Sequence, residues 1–150
     1  MTGRYFDQWK VGDRVEHPIR RTITETDNLL ISALTHNPQP LHLDAEYAGT
    51  TEFGRIVVNS TFTFALMVGL SVAETTLGTL VANLGFDKVV MPNPVFIGDT
   101  LRVTTEVIEL RGSKSRPNAG VATFKHCTLN QRDQVVCECL RTALIKKTPT

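Results

Sequence analysis

Apolar positions along the chain change their spacing near residue 80, and the change separates a helical first half from a stranded second half. In TITETDNLLISALT, residues 22–35, Leu30, Ile31 and Leu34 fall on one helical face. Thr24 stands where an N-cap belongs, and Asp27 three residues later completes a capping box. Pro38 and Pro40 forbid continuation, since each removes a backbone donor and drives the residue before it toward extended conformations. The stretch THNPQPLH, residues 35–42, is therefore expected to be a stiff loop. A second short helix fits LDAEYAG, residues 43–49, with Asp44 as N-cap and Gly49 as its stop. Asn59 and Ser60 are both suitable caps for the run from Thr61 to Leu77, which is apolar around most of its circumference. That describes a helix buried on nearly all sides, about 26 Å long at ~1.5 Å per residue.

From Leu80 onward the period becomes two. Leu101, Val103, Thr105 and Val107 alternate onto one face, VATFKHCTL (121–129) does likewise, and QVVCECLRTALI (134–145) has the texture of a central strand. NQRDQ, 130–134, reads as a hairpin loop and RGSKSRPNAG, 111–120, as a longer connection. VGDRVE (11–16) and IGDTLRV (97–103) share a turn-then-strand pattern, too short to establish a repeat. The order is a short strand, small helices, one long helix, then about four antiparallel strands, an α+β fold occupying residues 1–150 as one domain. A sheet curled around the long helix satisfies both halves. It would leave one sheet edge and one face open, so pairing with a second copy, as a homodimer or higher homo-oligomer, is expected.

Composition narrows the function classes. The chain has 150 residues, 41% hydrophobic and 21% charged, with 16 basic and 15 acidic residues interspersed. No basic stripe suits a phosphate backbone, which argues against nucleic acid as a partner. The most apolar segment, TFTFALMVGLSVA, has too few residues for the ~20 needed to cross a bilayer. The N-terminal stretch is charged from Arg4 onward and lacks a secretory apolar core. Cys127, Cys137 and Cys139 have no metal-ligand spacing, and Cys137 and Cys139, two apart on a strand, suit apolar packing better than a disulfide. No metal site, a reducing compartment and a cytoplasmic location are the expectations.

Candidate chemistry concentrates in the proline-rich loop. His42, held there close to the start of the long helix, would offer a base poised near neutral pH. The helix start would offer unpaired N–H groups and a positive dipole end for an oxygen that gains charge. Taken alone, a loop histidine is more often a cap or a surface residue. His17, before Pro18, His36 and His126, inside an alternating strand, carry still less signal.

Residues 26–42, TDNLLISALTHNPQPLH, followed by LDAEYAGTTEFGRIVVNSTF and later by PNPVFIGDTLRV, resemble the MaoC-like dehydratase family, which includes the (R)-specific enoyl-CoA hydratases. The resemblance implies a hot-dog fold, an oligomer of at least two copies, and reversible hydration of a 2-enoyl-CoA thioester. No cofactor is implied, since coenzyme A belongs to the substrate. It also implies that an Asp and a His hold the water while a backbone N–H at the central helix takes the thioester oxygen. Position by position, the family histidine falls on His42, its aspartate on Asn37, its motif asparagine on Gln39, and its His-Gly pair on Asn59 and Ser60.

Asn37 is the departure that matters most, because an amide cannot take a proton where a carboxylate can. It would orient the water and leave proton transfer to His42. Ser60 keeps its backbone N–H whatever its side chain, so the oxyanion site survives; Gln39 and Asn59 are expected to contact substrate. The variant motif looks like a branch associated with small branched dicarboxylic acyl-CoA substrates, mesaconyl-CoA and itaconyl-CoA among them. In SKSRP, Lys114 and Arg116 combine cations with hydroxyls able to hold a carboxylate or a CoA phosphate. A thioesterase and a catalytically inactive acyl-CoA-binding subunit are the competing readings.

Overall fold

A computed structural model describes residues 3–149; Met1, Thr2 and Thr150 lie outside the described residues. The elements in chain order are β1 (Arg14–Glu16), β2 (Arg21–Thr22), α1 (Glu25–Leu34), α2 (Pro40–Leu43), α3 (Ala45–Thr50), α4 (Ser60–Thr75), β3 (Leu80–Val90), β4 (Thr100–Gly112), β5 (Ala119–Leu129) and β6 (Val135–Lys146). The strands form an antiparallel sheet in the order β1-β4-β5-β6-β3, with β2 also paired to β4. α4 packs against β4, β5 and β6, so the sheet curls around it as the alternation of apolar positions requires.

Local chemistry explains the element ends. Thr24 and Asp27 form the capping box of α1, and Asp44 caps α3 by accepting from Tyr47 N–H at 3.0 Å. The two GD sequences make the same reverse turn. Asp13 N–H donates to Lys10 O while the Asp13 carboxylate takes Lys10 N–H at 2.9 Å; Asp99 does both with Phe96, also at 2.9 Å. Gly12 and Gly98 hold φ of 90° and 93° there, a region that side chains disfavour. Each turn launches a strand, β1 and β4.

Two expectations are corrected, and the direction of one helical face is settled. Gly49 does not stop α3, which continues through it to Thr50. α4 is buried on one side only. Thr63, Met67, Leu70, Ser71 and Thr75 face inward, whereas Thr61, Ala65 and Gly69 lie exposed because the sheet wraps the helix from one side. Most tellingly, the apolar stripe of α1 points outward, with Leu30 57% and Leu34 70% exposed. The inward face carries Asn28 and Ser32, both 1% exposed. Their partners explain the inversion: Asn28 Oδ1 accepts Asn59 N–H at 2.9 Å, Asn28 Nδ2 donates to His42 O at 2.8 Å, and Ser32 Oγ accepts from Asn59 Nδ2 at 3.3 Å. The buried Asn59 cap of α4 needs an acceptor for its own N–H and for its side-chain amide, and the polar face of α1 supplies both.

The interior holds Ile23, Val58, Val95, Leu101 and Val136 beneath the start of α4, and Met67, Leu70, Val103, Cys137 and Cys139 along its middle. Trp9 meets Phe124 edge-on at 5.4 Å farther along. Cys127, Cys137 and Cys139 are free thiols, and burial pushes all three up, to about 11, 12 and 11. A polar chain also crosses this core. His17 Nδ1 meets the Glu74 carboxylate at 2.6 Å, His17 Nε2 meets Thr105 Oγ1 at 2.8 Å, and that hydroxyl meets His126 Nδ1 at 2.7 Å. Arg141, fully buried, donates to Asn83 and to Thr76, the C-cap of α4, where the helix dipole suits a cation. Burial first, then the nearby Arg141 guanidinium, depress His126 to about 3.

Two outcomes follow from these networks. The unfolded His126 titrates near 6.5 and the folded one near 3, so in that window only the unfolded chain binds the proton. Stability is fully present above pH 6.5 and is lost as pH falls toward 3, at up to ~1.4 kcal/mol per pH unit from this residue. The urea midpoint of the wild type should therefore fall more steeply between pH 7 and pH 5 than that of His126→Gln; equal slopes would contradict the assignment. Asn28→Ala strips partners from Asn59 N–H and His42 O, and should cost about 2–4 kcal/mol in chemical unfolding. A loss below about 1 kcal/mol would show that neither group depended on Asn28.

Candidate functional site

The loop expected over 35–42 is partly helical. Pro40 sits at the first position of α2, where its missing N–H costs nothing, and Gln39 is the N-cap. Asn37 Oδ1 accepts Gln39 N–H at 3.0 Å, a side-chain turn that sets the entry to α2. His42 falls in this turn with its backbone N–H on Gln39 O and its carbonyl on Asn28.

The imidazole is oriented by one contact. His42 Nδ1 lies 2.7 Å from Val57 O. A carbonyl can only accept, so Nδ1 carries the hydrogen and the neutral ring presents the lone pair of Nε2 outward. Val57 O is itself fixed by strand-like pairing of Val57 with Phe96 and by Val58 N–H on Val95 O at 2.8 Å.

The second component is the start of α4. Asn59 caps the helix, its Oδ1 accepting from Thr61 N–H at 3.0 Å and from the Thr61 hydroxyl at 2.6 Å. Asn59 N–H goes to Asn28, and Phe62 and Thr63 N–H go to Asn59 O. Ser60 N–H is the backbone donor of this opening turn with no acceptor among the described residues.

His42 and Ser60 line one cavity of about 360 Å³, a volume within the range of small-ligand sites. Phe53, from the turn after α3, and Met91–Pro94 border it, and Val58, Val95 and Val136 close it below. Apart from His42, Ser60, Thr63 and Asn93 its lining is apolar. A base with a free lone pair and a helix-end N–H, on two residues that line one largely apolar space, can take a proton at one point and support an oxyanion at another.

The remaining sequence candidates are placed elsewhere. Asn37 lines a second, more open cavity of about 520 Å³ with His36, Leu29 and Leu43, which shares no lining residue with the His42 cavity. Gln39 is exposed and lines neither. Asn59, expected to touch substrate, is 1% exposed with its amide committed to Ser32 and Thr61. Lys114 and Arg116 sit in the β4–β5 loop at the end of the sheet where α4 finishes, beside Lys147, whose N–H donates to Asn118 O. Val136 of the cavity and Lys146 of that region stand at opposite ends of β6, a strand spanning about 35 Å at ~3.3 Å per residue. Within one chain these cations do not share the His42 site. Residues that sequence reasoning passed over are Asn28, whose partner lies 31 positions away, and Thr63, legible as a hydroxyl one helical turn after Ser60. Among the described residues no group of three His, Cys, Asp or Glu side chains could hold a metal ion, and no helix is long and apolar enough to cross a membrane.

The chain is similar to several known proteins. A mesaconyl-CoA hydratase of Cereibacter sphaeroides is 30% identical over 148 residues, covering 99% of this chain and 43% of its own length. The crystal structure of the MaoC-like dehydratase from Rhodospirillum rubrum superposes with a TM-score of 0.85 at 30% identity, covering 99% of this chain and 100% of that one. A conserved hypothetical protein of Mycobacterium tuberculosis with a double hotdog fold matches at TM-score 0.89 and 23% identity, over 98% of this chain and 45% of its own. The chain thus has a hot-dog fold and spans about two-fifths of the length of the curated relatives it matches first. Residues 7–128 match the family described as MaoC like domain, and the chain belongs to that family.

Proposed function

We propose that this chain catalyses the reversible addition of water to a short 2-enoyl-CoA thioester, a hydratase and dehydratase activity, with branched dicarboxylic acyl groups of the mesaconyl or itaconyl type as favoured substrates. The observation that carries the reading is the pair of free groups on one cavity, His42 Nε2 and Ser60 N–H. The naming of the Cereibacter sphaeroides relative as a mesaconyl-CoA hydratase supports the substrate class.

In the hydration direction His42 Nε2 takes a proton from water as the oxygen bonds to the β-carbon. The electron pair of the double bond moves to the thioester oxygen, where Ser60 N–H and the helix dipole hold the enolate. The imidazolium then returns its proton to the α-carbon, so one residue serves as base and acid and no net proton is consumed. Asn37 acts in this scheme through the turn it imposes before α2 rather than on the water. Three free thiols suit a reducing compartment such as the cytoplasm.

Working as a homodimer or higher homo-oligomer fits the open edge of β3, which carries exposed Leu84, Phe86, Val89 and Val90, and the uncovered side of α4. Asn37, standing where the family keeps its acid, favours one second reading, an acyl-CoA-binding subunit without turnover.

Two measurements separate these outcomes. Purified protein should hydrate crotonyl- or mesaconyl-CoA, followed by loss of enoyl-thioester absorbance, and His42→Ala should lower kcat about 100- to 10,000-fold. Binding without turnover by the wild type would favour the inactive subunit; thioester cleavage in place of hydration would make the protein a thioesterase. Sedimentation should give twice the 16.6 kDa chain mass or a higher multiple, and a monomer would refute the pairing.

A further inference from the structure

Thr63 is the polar group of the His42 cavity that neither the fold nor the proposed reaction uses. It is 2% exposed, lines the cavity, and its Oγ1 has no hydrogen-bond partner among the described residues. Other helical hydroxyls in this protein behave differently. Thr35 donates to Ile31 O, Ser71 to Val68 O and Thr75 to Ser71 O, each closing back on its own helix. The equivalent carbonyl for Thr63, Asn59 O, already receives the N–H groups of Phe62 and Thr63. A buried hydroxyl left unbonded loses the ~1–3 kcal/mol that a partner would restore, so its persistence beside an open cavity points to an occupant.

The chemistry of that occupant follows from position. Ser60 lies at the exposed rim and Thr63, one turn on, at the floor beside Val58 and Val136. With the thioester oxygen on Ser60 N–H and the coenzyme A part toward the exposed rim, the far end of a short acyl chain would lie on the buried side of the cavity, where Thr63 is. No lysine or arginine lines the cavity, but Thr63 belongs to the opening turn of a 16-residue helix, where the dipole favours a negative oxygen. We infer that Thr63 is a specificity residue that donates its hydroxyl to a carboxylate at the far end of a short dicarboxylic acyl chain, and so sets acceptance of such chains over purely aliphatic ones. The inference rests on the hydratase reading for its orientation of the thioester.

The test compares two acyl-CoA thioesters of matched length, one ending in a methyl group (crotonyl-CoA) and one in a carboxylate (fumaryl-CoA), on wild type, Thr63→Val and Thr63→Ser. The ratio of kcat/KM for the carboxylate-ended over the methyl-ended substrate should fall about 10- to 100-fold in Thr63→Val, the effect of one hydrogen bond to a charged group, and return toward wild type in Thr63→Ser. Binding of succinyl-CoA, the saturated carboxylate-ended analogue, should weaken about 10-fold or more in Thr63→Val by calorimetry, relative to butyryl-CoA. An unchanged ratio, or equal losses on both substrates, overturns the role of Thr63 and leaves the hydratase reading intact. Loss of the succinyl-CoA preference in a protein that hydrates nothing supports the Thr63 site and refutes the hydratase reading. A Thr63→Val protein that fails to fold leaves Thr63→Cys as the replacement, which keeps the size and weakens the donor; retention of the full wild-type ratio there also overturns the proposal.

Discussion

Everything that positions this site traces to the buried Asn59 cap at the start of α4. A helix end exposes backbone N–H groups that nothing inside the helix can satisfy, and burying them away from water is tolerable only with acceptors in place. Asn59 takes Thr61 N–H, Asn28 takes Asn59 N–H, and Asn59 O takes the next turn. Once those partners are assigned, Ser60 N–H is left over at the wall of a cavity. The same Asn28 reaches His42 O with its amide, so the group that completes the helix cap also holds the α2 turn carrying the imidazole. Val57 O, just upstream of the cap, fixes the ring itself. Base and helix-end donor are therefore coupled through a few buried hydrogen bonds rather than through the loop prolines alone.

This coupling explains which parts of the structure could be read from residues in order and which could not. The capping box of α1, the cap of α3, the extent of α4 and the four long strands are written in local patterns, where the physical cause lies within a few positions of its effect. The orientation of α1 is not. Its leucines make a good amphipathic face by spacing, yet that face turns outward because the demand for acceptors at Asn59 lies 31 residues downstream of Asn28. Similarly, the two prolines mark a stop, but only the turn of Asn37 Oδ1 onto Gln39 N–H reveals that Pro40 begins a helix.

The candidate site was legible to the same degree. His42 and Ser60 stand out by residue type and motif, and the fold brings them to one cavity. Lys114 and Arg116 look equally chemical in sequence, but the hairpin that bears them ends at the opposite extreme of the sheet. Asn59 has the right composition for a contact and is used up as a cap. Burial of polar groups, and the identity of what satisfies them, is a property of the assembled interior; no local window contains it.

The exposed apolar groups on β3 and the open side of α4 complete the picture, since the interior described here is closed on one side of the helix and unfinished on the other. The central claim remains that the unpaired N–H of Ser60 and the free Nε2 of His42 meet the same ligand. Amide spectra of nitrogen-15-labelled protein titrated with butyryl-CoA, a saturated acyl-CoA that cannot be hydrated, test it most directly. The Ser60 amide should move downfield as it takes up the thioester oxygen, with the His42 imidazole shifting in the same titration. Shifts confined to the cavity lined by His36 and Asn37, with Ser60 unmoved, would contradict the account.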